Sequence, residues 1–517
     1  MLEGDWAGEP YARPADFVSV TDYGAVADDG LDDTSAIEEA IADAKRQGKG
    51  VWLPPGDFRV GEGPIEVADV TIRGAGKWHT TLVGGGFMGA GNRIRVYDLA
   101  IDGEVTARRD ELPESGFDGA FGTGSTLQHV RIEHVKTGIW STTRTLPDGQ
   151  ALATDGLYVA GVQVRNTFAD GLNFSTGTNR SMAEHNQFRN TGDDGMAMWA
   201  SGAQSEGNTF RFNTVELPWL ASNISVYGGK NATVADNVVS DTVAFGAGIS
   251  VSTRHAPVPF EGTIEVARNT LLRTGGREHN WPADFGGLLL FADSGREMTG
   301  DIRIRDNLIA DSSYQGISFL GEAPARGIEL HGNVVDGAGT WGIHAAGNIG
   351  GGATFGNTIV RKATVGPFMD GAGGFEVRTV DEGFAFEEPP FRASIGGREA
   401  APFVVETGET VQVSVAGDEA GEAVWSSSDD TVVRIADGKL AALKTGTANV
   451  AVSWGGRERI FRVAAKDTTA PAWSGGAGAT AVREADGTYT VRWPAASDAG
   501  GIAWYRLSWG AGSVRTD

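Results

Sequence analysis

The chain contains no cysteine, which excludes disulfides and thiolate metal sites and leaves packing and hydrogen bonds to hold the fold. No run of about 18 apolar residues occurs, so a membrane-spanning helix is excluded and no membrane partner is expected. Histidine is scarce, at 8 in 517 residues, and no pair shows metal-ligand spacing. No metal or organic cofactor is therefore expected to take part in chemistry, although the acids leave room for a structural calcium ion. Positive charge is also short. Lys and Arg number 43 against 67 Asp and Glu, a formal charge of -24, which disfavours nucleic acid and polyanionic substrates and favours a neutral polymer. The opening Met1-Leu2-Glu3-Gly4 lacks the charged and apolar regions of a signal peptide, which fits a cytosolic protein or a secreted one without its leader.

Glycine, in contrast, is abundant, with 76 residues, as expected of many tight turns between brief strands. A chain of 517 residues exceeds one ordinary globular core but suits a solenoid. From Asp32-Asp33-Thr34-Ser35 an apolar stripe runs through Ile37, Ala40, Ile41 and Ala44 to Gly48, which predicts a capped helix suited to covering the open end of a solenoid. Gly50-Val51-Trp52-Leu53 reads as the first strand. A ladder of Asn residues ahead of apolar pairs then follows at Asn186, Asn208, Asn237, Asn269, Asn307, Asn333 and Asn357. The uneven spacing suits coils of three short strands with loops of variable length on one side. The pattern predicts an all-β chain, a right-handed parallel β-helix, in which stacked Asn side chains hydrogen-bond along the axis.

The ladder fades after about Val365, and Glu387-Glu388-Pro389-Pro390 reads as a linker. Beyond it, Thr410–Val415, Val424–Ser428, Val432–Ile435 and Ala448–Val452 alternate with period two, which predicts a small Ig-like β-sandwich. Val424-Trp425-Ser426-Ser427-Ser428-Asp429-Asp430 and Gly438-Lys439-Leu440 resemble the bacterial group 2 Ig-like domain. The stretch from Thr468-Thr469-Ala470-Pro471 through Tyr489–Trp493 to Trp504-Tyr505 resembles the start of a fibronectin type III module. The expected organisation is an N-terminal extension over 1–16, a catalytic β-helix over 17–385, the Ig-like domain over 386–466 and the partial module over 467–517.

Two look-alike segments carry the functional signal. Arg165-Asn166-Thr167-Phe168-Ala169-Asp170-Gly171-Leu172 and Arg189-Asn190-Thr191-Gly192-Asp193-Asp194-Gly195-Met196 are offset by 24 residues, so Asp170 and Asp194 share one register of the repeat. Consecutive coils would stack them at about 4.7–4.9 Å, and Asp193, the preceding residue, would point elsewhere. Four Asp-Asp pairs occur in the chain, but only Asp193-Asp194 falls inside the ladder. An Asp-Gly turn alone could explain the pair, yet the aligned positions in later coils are Gln315 and Trp341. Close acids suit glycosidic cleavage, in which one carboxyl protonates the leaving oxygen and another activates water. Like charges so close resist double ionisation, so the cluster is expected to hold a proton near neutral pH.

The windows Phe168–Asn173, Glu184-His185-Asn186 and Arg189–Trp199 resemble the bacterial α-1,3-glucanases and mycodextranases of glycoside hydrolase family 87. The resemblance implies a pectin-lyase-like β-helix, an inverting α-1,3-glucanase acting on a neutral α-glucan, and catalytic roles for Asp170, Asp193 and Asp194. By analogy with polygalacturonases, which share a similar Asp and Gly-Asp-Asp arrangement, Asp193 would be the acid and Asp170 with Asp194 the pair holding water. The polygalacturonase Gly-His-Gly is missing, and Arg303-Ile304-Arg305 falls inside a ladder strand, which demotes pectin. Substrate contacts are expected from Trp199, Trp219, Asn173, Tyr227 and His255, with Trp281 and Trp341 as further aromatics on or after the acidic coils. The expectation is a secreted, endo-acting monomer; the competing readings are a polygalacturonase-like hydrolase, a noncatalytic glycan-binding β-helix, and a uronate lyase or epimerase. Against the last, Arg189 is the nearest base flanking the pair.

Overall fold

The structure is a computed structural model that describes residues 8–516 apart from 62, 147, 281–282, 347, 372–373, 387–390, 400–402, 456, 474–477, 499–504 and 510–511. The chain forms two compact units, Met1–Glu388 and Pro389–Asp517. The linker read from Glu387–Pro390 lies outside the described residues.

The first unit is a coil of short strands that pair in parallel with the coils before and after them. Each turn supplies one strand to each of three ladders. The first ladder begins earlier than the sequence pattern suggests, because Phe17–Ser19 pairs with Gly50–Leu53. It continues through strands such as Tyr158–Ala160, Met182–Glu184 and Thr209–Arg211. The second ladder contains Gln163–Arg165, Gln187–Arg189 and Thr214–Glu216. The third, among the described residues, is a separate sheet of 12 strands, including Leu172–Phe174, Met196–Trp199 and Ile224–Tyr227. The coil is right-handed, the sense that parallel crossovers adopt in nearly all proteins.

Alternation along each strand decides what is buried. In the third ladder Leu172, Met196, Ile224, Ile249 and Leu288 stack in register and face the core. Each such side chain contributes about 1.5–3 kcal/mol when fully buried. The residues between them, Trp140, Asn173, Ala197, Ser225, Ser250 and Leu289, form a row facing outward. Helix Thr34–Gln47 buries Ile37, Ala40, Ile41 and Ala44 in the same core as the first strands, and ends at Gly48 with φ 65°.

The asparagine ladder exists, with two corrections. Asn186, Asn213, Asn237, Asn269, Asn307 and Asn333 form an unbroken stack in which each Nδ2 donates to the Oδ1 of the next at 2.9–3.0 Å. Each Oδ1 also accepts a backbone N–H from the coil before it. Asn208 instead precedes a first-ladder strand and caps Ser181 N. Asn357 is exposed and lies one residue out of register, because Val334 pairs with Ile359 and Thr358 therefore takes the place above Asn333. Two Asn at different corners share the same local pattern, so spacing alone does not separate them.

Among the described residues the second unit holds two four-stranded sheets whose strands are mostly antiparallel. Val433, Leu440 and Ala442 from one sheet and Val450, Phe461 and Val463 from the other share an apolar core. Short hairpins follow, among them Thr480–Arg483 with Tyr489–Arg492; Trp473, Val482 and Tyr489 on these segments are exposed.

Replacing Asn237 with Ala removes the acceptor of two Asn213 donors and leaves a buried backbone N–H unpaired, at about 1–3 kcal/mol for each stranded group. Thermal denaturation is expected to show Asn237→Ala destabilised by about 2–4 kcal/mol, with Asn357→Gly within about 0.5 kcal/mol of the unsubstituted chain. Equal effects at both positions would contradict the corrected ladder.

Candidate active site

Asp170 and Asp194 lie at the corner that leads into the third ladder. The pairing of Leu172 with Met196 puts the two acids in register on successive coils. Continuing that register gives Ser222, Ala247, Gly286, Gln315 and Trp341. The corner therefore does not require an acid. What it does require is the glycine that follows: a Cβ on Gly195 would lie 2.2 Å from Val215 Cγ1 and 2.6 Å from the Asn223 carbonyl oxygen. The Asp-Gly repeat thus combines a steric demand at glycine with a free choice at the preceding residue.

The carboxylates of Asp170, Asp193 and Asp194 converge, with oxygens of all three within 4.8 Å of one another. Asp170 and Asp194 are buried, at 7% and 4% exposure, whereas the Asp193 side chain keeps 31%. Asp170 accepts from Asn173 Nδ2 at 2.8 Å. Asp194 accepts from Ser222 N, Ser225 Oγ and Tyr227 Oη at 2.9, 2.7 and 3.1 Å. Asp193 turns the other way, toward Arg108 Nη1 at 2.7 Å.

Burial raises the Asp170 carboxyl well above the usual carboxylate range, and the charges of Asp193 and Asp194 push in the same direction. Burial followed by the charge of Asp193 raises Asp194 to about 7, against hydrogen bonds from Ser225, Ser222 and Tyr227 that favour its ionised form. Tyr227 is pushed up by burial and by Asp194, so it stays a hydrogen-bond donor. His255 is held below the usual imidazole value by desolvation and by Arg254. The buried pair titrates as a unit and retains a proton near neutral pH.

The acids open into a cleft of about 810 Å³ on the outward face of the third ladder. Of the expected substrate-contact residues, Asn173, Trp199, Tyr227 and His255 line it. Trp199 meets Trp140 edge to face at 6.2 Å, and Tyr227 meets His255 in the same manner at 5.3 Å. Trp219 does not belong to the lining. It is 53% exposed and donates from Nε1 to Asn190 Oδ1, because the corner Pro218-Trp219 turns its ring toward the preceding coil. Trp341 lies against Gly366 on a later coil, and Trp281 is outside the described residues.

The sequence reading missed Arg108, Asp118, Lys136, Trp140, Arg254 and Glu278, all of which line the cleft. Trp140 and Asp118 share the outward row with Asn173 and were accessible through register. Arg108 was not, since it lies 85 residues from Asp193 on an inserted loop. That loop is tied down by Lys136, which donates to the carbonyls of Asp110 and Leu112. Arg189, the one base noted beside the acids, points away and pairs with Glu216.

Among the described residues a second group, Asp102, Glu133 and His134, has donor atoms close enough for an ion. Glu133 there already pairs with Arg131 and Arg165, which supply the positive charge a cation would bring.

A folded-state value above the unfolded one means that the native chain holds the Asp194 proton more tightly. This contribution is complete below the ordinary aspartate range and is lost as pH rises through about 7. Asp194→Asn lacks it. Thermal denaturation across pH is therefore expected to show wild type losing stability relative to Asp194→Asn between about pH 4 and about pH 7, with a constant difference above. A pH-independent difference would place the Asp194 carboxyl in water.

A family described as rhamnogalacturonase A/epimerase, pectate lyase-like, matches residues 17–248, and one described as right handed beta helix region matches residues 151–361. No curated protein matches the chain. Among solved structures, the catalytic unit of the thermostable GH87 α-1,3-glucanase from Streptomyces thermodiastaticus strain HF3-3 is 33% identical, covering 74% of this chain and 70% of that one with a TM-score of 0.66. The Agl-KA catalytic domain is 26% identical over 72% of this chain and 70% of that one, with a TM-score of 0.63. A GH87 α-1,3-glucanase catalytic domain in complex with nigerose shares the fold at 24% identity over 72% and 70%, with a TM-score of 0.59. On the strength of the one-third identity to the Streptomyces enzyme over most of both chains, this chain belongs to glycoside hydrolase family 87.

Proposed function

We propose that the chain is a secreted, inverting endo-hydrolase of α-1,3-glucosidic linkages in a neutral α-glucan. The observation that carries this reading is the three-carboxylate cluster, with two buried acids stacked on successive coils and a third on the cleft side. Family membership and the α-1,3-glucanase activity named for its relatives support the linkage. The outward row from Asp118 to Leu289 crosses seven coils, roughly 29 Å at the usual strand spacing. A cleft of that reach suits several sugar rings of a polymer and hence internal cleavage. One chain supplies the whole site, so a monomer suffices.

In the proposed mechanism Asp193 gives its proton to the glycosidic oxygen as the bond to C1 breaks. Water held by Asp170 and Asp194 attacks C1 from the opposite face and passes one proton to the ionised member of that pair. The separation of 4.8 Å or less is shorter than the roughly 6.5–9.5 Å usual between an inverting acid and base. Inversion therefore rests on the pairing of two acids around one water rather than on distance. Arg108, Lys136 and Arg254 bring positive charge to the cleft, but Arg108 is committed to Asp193 and Lys136 to backbone carbonyls.

Incubation with insoluble α-1,3-glucan is expected to release reducing sugar whose first-formed anomer is β by NMR, with no absorbance from unsaturated ends. Such absorbance would establish a lyase, a first-formed α anomer would establish retention, and binding without product would establish a noncatalytic module. Asp170→Asn, Asp193→Asn and Asp194→Asn are each expected to stay folded and lose about 100-fold or more in rate. A wild-type rate in any of them removes that residue from the mechanism.

A further inference from the structure

Asn173 lies at the centre of strand Leu172–Phe174, in the outward row between Trp140 and Ala197. The residue is 3% exposed, and Nδ2 donates to Asp170 Oδ2 at 2.8 Å. In this orientation the NH2 end faces Asp170 Oδ2, an oxygen that accepts as long as it carries no proton. Oδ1 is then the end left over. It is buried, and among the described residues no donor reaches it; Ala197, its neighbour on the next coil, offers only a methyl group.

A buried carbonyl oxygen without a donor is costly, and folded proteins keep few of them. This one shares its carbon with the nitrogen that touches Asp170, so the free acceptor sits beside a carboxylate of the candidate catalytic pair. Water attacking a sugar carbon has two O–H bonds. One proton goes to the base, and the other must be held aside so that a lone pair faces C1. A neutral amide oxygen can hold the second O–H without competing for the transferred proton.

We propose that Asn173 is a further catalytic residue, whose Oδ1 accepts the O–H of the hydrolytic water that is not transferred. The proposal rests on the reading of Asp170 and Asp194 as the water-holding pair. In the step, the water oxygen bonds to C1 and the bond from C1 to the glycosidic oxygen breaks. One water proton passes to the Asp170 and Asp194 pair, and the Asp193 proton passes to the leaving oxygen. The remaining O–H becomes the anomeric hydroxyl of the product and leaves Asn173.

The test compares Asn173→Ala, Asn173→Ser and Asp193→Asn on α-1,3-glucan and on an α-1,3-linked oligosaccharyl α-fluoride, whose leaving group needs little protonation. Asn173→Ala is expected to lose about 10- to 100-fold in kcat on both substrates, with KM within about twofold. Asn173→Ser, which introduces a hydroxyl that can donate and accept, is expected to recover part of that loss. Asp193→Asn is expected to be slow on glucan and restored on the fluoride. A rise in KM with kcat unchanged would make Asn173 a sugar contact and overturn the proposal, as would normal turnover of the fluoride by Asn173→Ala. Should Asn173→Ala fail to fold, the same comparison is read from Asn173→Ser. A normal rate for Asp194→Asn would fell the underlying reading instead, whatever Asn173 does.

Discussion

The site depends on the fixed register of parallel strands in the third ladder. Backbone hydrogen bonds hold successive coils roughly 4.8 Å apart, and a slip of one residue would turn every outward side chain inward. This constraint places Asp170 above Asp194 whether or not the two charges tolerate it. At about 4 Å, like unit charges repel by about 1 kcal/mol in water and about 4 kcal/mol at the effective dielectric of a protein surface. A flexible loop would relieve such a clash by moving apart. The ladder holds the acids in place, so the pair responds by holding a proton; burial first, and then the charge of Asp193, raise Asp194 to about 7.

Three chemically identical side chains consequently have three environments. Asp170 is buried with one donor from Asn173, Asp194 is buried with three donors, and Asp193 reaches the open cleft with a guanidinium beside it. The difference follows from backbone position. The two stacked acids immediately precede the corner glycine, whereas Asp193 stands one residue earlier, in the bend at Gly192-Asp193.

Much of the β-helix was legible because both its periods are local. Period two along a strand and the recurrence of Asn at one corner are visible without knowing which coils touch. The helix stripe Ile37, Ala40, Ile41 and Ala44 was legible for the same reason, and all four residues are buried. Asp170 and Asp194 were found through a 24-residue repeat, the length of one coil. Legibility failed where loops intervene. Asn208 and Asn213 lie within five residues of each other, yet only the second stacks on Asn186, and sequence carries no marker of which corner each occupies. Arg108 reaches Asp193 across several coils, so no periodicity connects them. Trp219 was misplaced because it follows a corner, where side-chain direction depends on turn geometry rather than alternation.

The unequal lengths of the coils carry an evolutionary consequence. Successive members of the asparagine stack are separated by 27, 24, 32, 38 and 26 residues, yet every step closes with the same bond near 3.0 Å. The chain can gain or lose a dozen residues in one turn without disturbing the rise of the coil. Such a scaffold uncouples heritable variation in the loops from the integrity of the trunk. Lineages descended from one ancestor can therefore diversify the rim of the cleft by insertion and deletion, while the acids beneath it stay in place.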